Sequence, residues 1–196
     1  SDTCLTDEMF IMFYKLFNKL KSIILHFYYM HIIRNPSKYG RALGARIGKG
    51  CNFIEDPEKF LNSEPWLITI GNHVRITYGV RLLTHEGALW TIRGMDERYE
   101  NVSTYEPMHI GDNTMIGMYS VVMPGVKIGK NCIIGAHSVV TRDIPDGTVV
   151  AGVPARKISN IEKFKEKIDT RELFDIMKMS QREKRTYLSK KHPEWF

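Results

Sequence analysis

At 196 residues, with 43% hydrophobic and 26% charged side chains, the chain has room for one sizeable domain with appendages, and its composition excludes a disordered protein. Its net charge of +6 allows either a generally basic surface or an anionic partner, such as a phosphorylated cosubstrate, a membrane surface or a nucleic acid. No RNP-like aromatic motif or zinc-finger spacing supports nucleic acid, and three cysteines without a CxxC pair argue against a disulfide framework and for a reducing, cytoplasmic setting.

Residues 1–40 read as an N-terminal helical segment. Residues 9–33 are dense in Phe, Ile, Leu, Met and Tyr, but Lys15, Lys19 and Lys21 interrupt the run. The longest unbroken apolar stretch is far short of the ~20 residues a span requires, and no small-residue cleavage site follows. Lys15, Asn18, Lys19, Ser22 and His26 align as one narrow polar stripe on a helix that is otherwise apolar. Such a helix must be covered by the rest of the chain, a neighbouring subunit or lipid. The thin stripe with few cations favours protein over peripheral membrane contact. Asn35-Pro36 is expected to end it.

Residues 41–158 carry a six-residue period. Ile110-Gly111, Ile116-Gly117, Val122, Ile128-Gly129, Ile134-Gly135 and Val140 hold the phase without a slip. Ile70-Gly71, Ile76 and Leu82 form an earlier run, and Ile47-Gly48 with Phe53 the first. A six-residue period fits neither the 3.6 of a helix nor a long strand of period two. It fits very short strands separated by bends, wound into a solenoid whose units bury their aliphatic face only by stacking. Gly50, Gly79, Asn113, Gly125 and Asn131 stand at the bends, where a positive φ is needed. Cys51 and Cys132 occupy a small buried place in the repeat.

The phase breaks twice, between Phe53 and Ile70 and between Leu82 and Ile110. Insertions leave a solenoid as loops, and loops on rigid scaffolds commonly carry function. The first contains Ser63-Glu64-Pro65-Trp66. The second, a long loop over about 85–109, opens with Thr84-His85-Glu86-Gly87. Residues 159–196 read as a C-terminal helical extension packed on the solenoid, with Ile161, Phe164, Ile168, Phe174 and Met177 at roughly helical spacing and Asp169-Thr170 a break and N-cap.

Ile110-Gly111-Asp112-Asn113 through Val122-Met123-Pro124-Gly125-Val126 to Ile134-Gly135-Ala136, then Val139-Val140-Thr141-Arg142-Asp143-Ile144-Pro145 and the closing Val150-Ala151-Gly152-Val153-Pro154-Ala155-Arg156, carry a resemblance. The chain from about 44 to 158 resembles the hexapeptide-repeat acyltransferases, most closely the maltose, galactoside and capsular-polysaccharide O-acetyltransferases. The resemblance implies an all-β solenoid, a left-handed parallel β-helix. It also implies a homotrimer with acetyl-CoA along the groove between subunits and no metal in the chemistry. Matching positions suggest that Gly117 and Met118 bring a backbone N–H to the thioester and that Ala136 lets the pantetheine arm pass. Thr141 and Arg142 match the next contact, and Arg156, with Lys157 beside it, the basic place near the 3′-phosphate. Met115 departs from the pattern, standing where many relatives carry tryptophan.

Acyl transfer needs the acceptor hydroxyl deprotonated as it attacks, and a neutral histidine suits that role. His26, His31 and His192 lie in the flanking segments, His73 and His137 sit at regular bends, and His109 immediately precedes the resumed coil. His85 alone opens the long loop, and it matches the family's catalytic histidine. Glu64 is the candidate carboxylate to orient it, or an acceptor ligand, with Glu86 the alternative. Asn52, Trp66 and Trp90 are candidate acceptor contacts. The expected activity is acetyl transfer to a hydroxyl of a sugar or polysaccharide precursor. N-acetylation of an amino sugar, O-acetylation of serine or an antibiotic, a non-catalytic assembly role, and a zinc site built on His73, His85 and His109 of neighbouring rungs and subunits are the rivals.

Overall fold

The computed structural model describes residues 2–196, with side chains from Ile11 onward, so Cys4 lies outside the described side chains. Helix α1 (Asp2–Phe27) runs into a π turn at Tyr28–Ile32. The helical run stops at Ile32, just before Asn35-Pro36 as expected, and the same pair also starts a second helix. The Asn35 side chain accepts from the Lys38 amide at 3.0 Å, and Pro36 opens α2 (Pro36–Ala42), where an N–H has no helical partner to lose. The helical lead-in therefore runs to Ala42, past residue 40, with Tyr39 fully buried.

The coil then winds through five turns. The first supplies β1 (Arg46–Ile47) and β2 (Asn52–Phe53), followed by a short helix α3 (Pro57–Phe60) and a 3-10 turn at Pro65–Leu67. The second supplies β3 (Ile68–Ile70), β4 (Arg75–Ile76) and β5 (Arg81–Leu82), then the long loop, with α4 (Leu89–Arg93) inside it. The third supplies β6 (Met108–Ile110), β7 (Met115–Ile116) and β8 (Val121–Val122), and the fourth β9 (Lys127–Ile128), β10 (Ile133–Ile134) and β11 (Val139–Val140). The fifth holds β12 (Thr148–Ala151), against which β13 (Arg156–Asn160) turns back antiparallel.

Strands from successive turns stack into three sheets, ordered β1-β3-β6-β9, β2-β4-β7-β10-β12 with β13 at its edge, and β5-β8-β11. Except for β12–β13, every pairing is parallel. The register puts the repeat's aliphatic residues directly over one another. Ile47, Ile70, Ile110 and Ile128 form one column, Phe53, Ile76, Ile116, Ile134 and Val150 a second, and Leu82, Val122 and Val140 a third. All but the half-buried Phe53 are buried in one core. Each such residue alternates with an outward neighbour, as period two within a strand requires.

The bends form their own ladders. His73, Asn113 and Asn131 all have positive φ, and their side chains join at 2.8 Å each across three turns. His73 and His137 are thus bend residues. His109, by contrast, lies inside β6, paired with Thr69 and Lys127. The long loop consequently ends before Met108 rather than at 109. Burial pushes the Cys51 and Cys132 thiols up, keeping them protonated in the wall of the coil.

Close stacking leaves no room for a side chain at certain corners. A Cβ on Gly111 would lie 2.5 Å from the Gly129 carbonyl carbon, which is backbone and cannot yield. Gly111→Ala is expected to cost about 1–3 kcal/mol, read as a fall of roughly 3–10 °C in Tm. An unchanged melting curve would contradict the register.

Residues up to Ile161 form one compact unit and Glu162–Phe196 a second. In the second, α5 (Ile161–Asp169) ends at the expected break. The next N-cap is not Thr170 but Ser180, whose capping box with Glu183 starts α6 (Gln181–Lys191). Phe174 and Met177 lie outside helix, and the Phe174 ring packs edge-on against Tyr187, His192 and Trp195.

Candidate active site

Both insertions return to the coil at corresponding places, the stacked strands β3 and β6 of the first sheet. Residues 54–67 stand where the first turn would supply a strand to the third sheet, and the long loop follows β5, the third-sheet strand of the next turn. That stacking brings Glu64 to His85. Glu64 Oε2 lies 2.9 Å from His85 Nδ1 and accepts from the Thr84 hydroxyl at 2.5 Å. The Glu64 side chain is 12% exposed and Thr84 is wholly buried, while the His85 side chain is 36% exposed. Burial alone would push the Glu64 carboxyl up. Hydrogen bonds from Thr84, His85 and Ser63 outweigh it and hold the carboxyl below the ordinary carboxylate value. An ionised carboxylate at Nδ1 fixes that nitrogen as N–H and leaves Nε2 as the basic atom of the neutral ring.

The loop is closed at its neck. Glu106 N–H donates to the Thr84 carbonyl at 2.9 Å, His85 and Tyr105 form an antiparallel bridge, and their rings meet edge-on at 6.0 Å. Beyond the neck, Leu89 is buried while Trp90, next to it on α4, is 79% exposed. Glu86 is not the orienting group, because its Oε1 accepts from the Ala88 amide at 2.8 Å and so folds the loop's first turn. Trp66, two residues after Glu64, is exposed. Asn52 is exposed on β2, in a different sheet from the strand leading into His85, and no hydrogen bond joins it to the pair among the described residues.

The residues matched to acetyl-CoA fall into two groups. At the corner before β8, Gly117 sits so close under the next turn that a Cβ would come 2.5 Å from the Ala136 nitrogen. Among the described residues no acceptor is paired with the Met118 or Ala136 amide, whereas Gly117, Tyr119, Gly135 and His137 donate theirs. Two stacked N–H groups are therefore available to an oxygen-bearing ligand. The second group is cationic. Arg142, Arg156 and Lys157 line one cavity of about 310 Å³, while Thr141 is exposed beside it. Asp143 and Asp146 share the cavity, but each carboxylate already accepts a backbone amide, from Lys127 and Lys130.

Sequence reasoning missed Thr84 and Ser63, which complete the surroundings of the pair, and the place of the loop aromatic Tyr105 against His85. It also missed Tyr119, whose positive φ aims its ring onto His137 (5.1 Å, stacked) and Tyr78 (5.6 Å, edge-on). A hydroxyl next to the candidate base was the available signal for Thr84. A tyrosine at a bend otherwise filled by Gly, Asn or His was the signal for Tyr119.

Residues 107–142 match the family model described as bacterial transferase hexapeptide, six repeats. The chain is 44% identical over 154 residues to Protein CapG of Staphylococcus aureus, covering 79% of this chain and 87% of CapG. It belongs to the hexapeptide-repeat acyltransferases. Galactoside O-acetyltransferase of Escherichia coli is 39% identical over 119 residues, which are 60% of this chain and 56% of that enzyme. A solved hexapeptide-repeat acetyltransferase from Vibrio cholerae superposes with a TM-score of 0.51 at 25% identity, over 63% of this chain and 78% of its own. Within one chain His73, His85 and His109 do not come together at metal-ligand spacing. His73 is bonded to Asn113, His85 to Glu64, and His109 lies along a strand of another sheet. Among the described residues, the one grouping with metal-ligand spacing is His26, Asp56 and Glu58, which includes none of the three.

Proposed function

We propose that this acyltransferase moves the acetyl group of acetyl-CoA to a hydroxyl of a sugar or of a surface-polysaccharide precursor, by direct transfer without an acyl-enzyme. The hydrogen-bonded Glu64–His85 pair at the mouth of the long loop carries the reading. The chain is similar to a galactoside O-acetyltransferase, which favours a saccharide acceptor and oxygen over nitrogen. We infer further that the coil winds in the left-handed sense and that the working form is a homotrimer, with acetyl-CoA between subunits.

His85 Nε2 takes the proton of the acceptor hydroxyl as its oxygen attacks the acetyl carbonyl carbon. The carbonyl electrons move to oxygen, which the Met118 amide stabilises as an oxyanion donor. Glu64 stabilises the imidazolium while it exists. Collapse breaks the C–S bond, and the imidazolium returns its proton to the departing CoA thiolate. The Ala136 amide faces the pantetheine arm, and Arg142, Arg156 and Lys157 meet the phosphates, where cations form charge-assisted hydrogen bonds. Trp66 and Trp90 offer faces for the sugar ring.

The test is acetyl-CoA turnover against a panel of sugars and amino sugars. The expected product is an ester, labile to mild base, with CoA release that depends on the acceptor. A base-stable amide product would assign the chain to N-acetylation, and failure to bind acetyl-CoA would favour an assembly role. Arg156→Ala is expected to raise KM for acetyl-CoA about tenfold with little change in kcat, and to abolish discrimination against the 3′-dephospho analogue.

A further inference from the structure

Helix α1 is attached to the body of its unit by one side only. At its foot the His26 ring meets Tyr39 edge-on at 5.5 Å, Tyr29 of the π turn stacks on Tyr39 at 6.1 Å, and Leu25 and His26 are half-buried. At ~100° per residue, Met12, Phe13, Leu16, Phe17, Leu20, Ile23, Ile24, Phe27 and Tyr28 fall on one arc of roughly 160° turned away from that attachment. Every one of them is exposed. A shallow groove of about 330 Å³ lies between Phe17, Leu20, Lys21, Ile24, Leu25 and Tyr28.

That arc is wider than the narrow seam two helices share in a coiled coil. Lys19 borders one edge of it and Lys21 the other, which is where long basic side chains reach from an apolar layer to charged headgroups. From Met9 to Ile54 the chain has no carboxylate and eight Lys or Arg residues. A parallel second copy of the helix would bring lysines to lysines along this stretch, since the carboxylates of α1 (Asp2, Asp7 and Glu8) all precede Met9. An anionic layer meets both the apolar arc and its cationic borders. No helix among the described residues is long and apolar enough to cross a membrane, so the helix lies on the surface rather than through it.

We propose that α1 is an interfacial anchor that seats the enzyme on an anionic lipid surface, with the apolar arc in the acyl boundary and the lysines among the headgroups. The chain itself leaves the arc exposed, which removes its own coil as the covering that the thin polar stripe favoured; a neighbouring subunit is the remaining protein alternative and is an outcome of the test. The inference does not depend on the proposed reaction.

The test is flotation of the full chain with vesicles of phosphatidylcholine alone or mixed with phosphatidylglycerol. Flotation with the mixed vesicles is expected, falling about tenfold or more on phosphatidylcholine alone or in high salt. The double variant L20E/I24E is expected to stay in solution with either vesicle, while its Tm and its oligomer mass in vesicle-free buffer match the parent. Absence of flotation with the mixed vesicles overturns the proposal, as does equal flotation on both compositions. A changed oligomer mass in L20E/I24E also overturns it, and assigns the arc to a second copy of the chain.

Discussion

His85→Ala is expected to lower kcat by about 10² to 10⁴-fold, the usual contribution of a positioned general base, while the Kd for acetyl-CoA is expected to stay within about twofold. The size of the effect follows from how completely the ring is committed. Nδ1 is held by Glu64 at 2.9 Å, so only Nε2 can receive a proton, and no other histidine lies in that loop to substitute. Acceptor-dependent CoA release and calorimetric binding separate the two quantities. A variant keeping more than about a tenth of parental kcat removes His85 as the base.

Glu64→Gln is the second large effect, with kcat falling roughly 10 to 10³-fold. The substituted amide keeps the shape but loses the charge that stabilises the imidazolium and fixes the tautomer. Glu64→Ala is expected to be worse for stability, because it strands the buried Thr84 hydroxyl at a cost of about 1–3 kcal/mol. The carboxylate also leaves a pH signature. Its folded pKa lies below the unfolded value of about 4.3, so over that interval the folded chain binds fewer protons than the unfolded one. The stabilisation is complete above about pH 5 and is lost as pH falls through the folded value. The Tm gap between parent and Glu64→Gln should therefore narrow on acidification. A gap that widens contradicts an ionised, hydrogen-bonded Glu64.

The coil was legible in the sequence because its constraint is local and repeated. Each inward aliphatic must meet its equivalent one turn away, so Ile110, Ile128 and their neighbours keep a strict phase, and each bend needs a residue that tolerates positive φ. The same regularity made the departures legible, and they singled out His85 and Glu64. Glu64, one coil before His85, reads as its partner from the sequence, but the 2.9 Å contact itself is not legible, since it depends on how two insertions of different length return to the stacked strands β3 and β6. The preference for Glu64 over Glu86 rests on its place one coil before His85 and not on adjacency in sequence, which favours Glu86; Glu86 serves the backbone of its own turn. The second helix that starts at Asn35-Pro36, besides the first one that stops before it, was not legible either. Proline marks a boundary but does not say on which side the helix lies. Ser180 shows a signal that was present and unread, a Ser-x-x-Glu box a few residues beyond a less suitable candidate.

The pairing of Glu106 with Thr84 and of His85 with Tyr105 has a consequence for how such an enzyme diversifies. The chain leaves and re-enters the coil through one neck formed by Thr84, His85, Tyr105 and Glu106. On the proposed mechanism, changes of length or sequence between Glu86 and Thr104 are expected to alter which acceptor is used and to leave the Glu64–His85 contact in place.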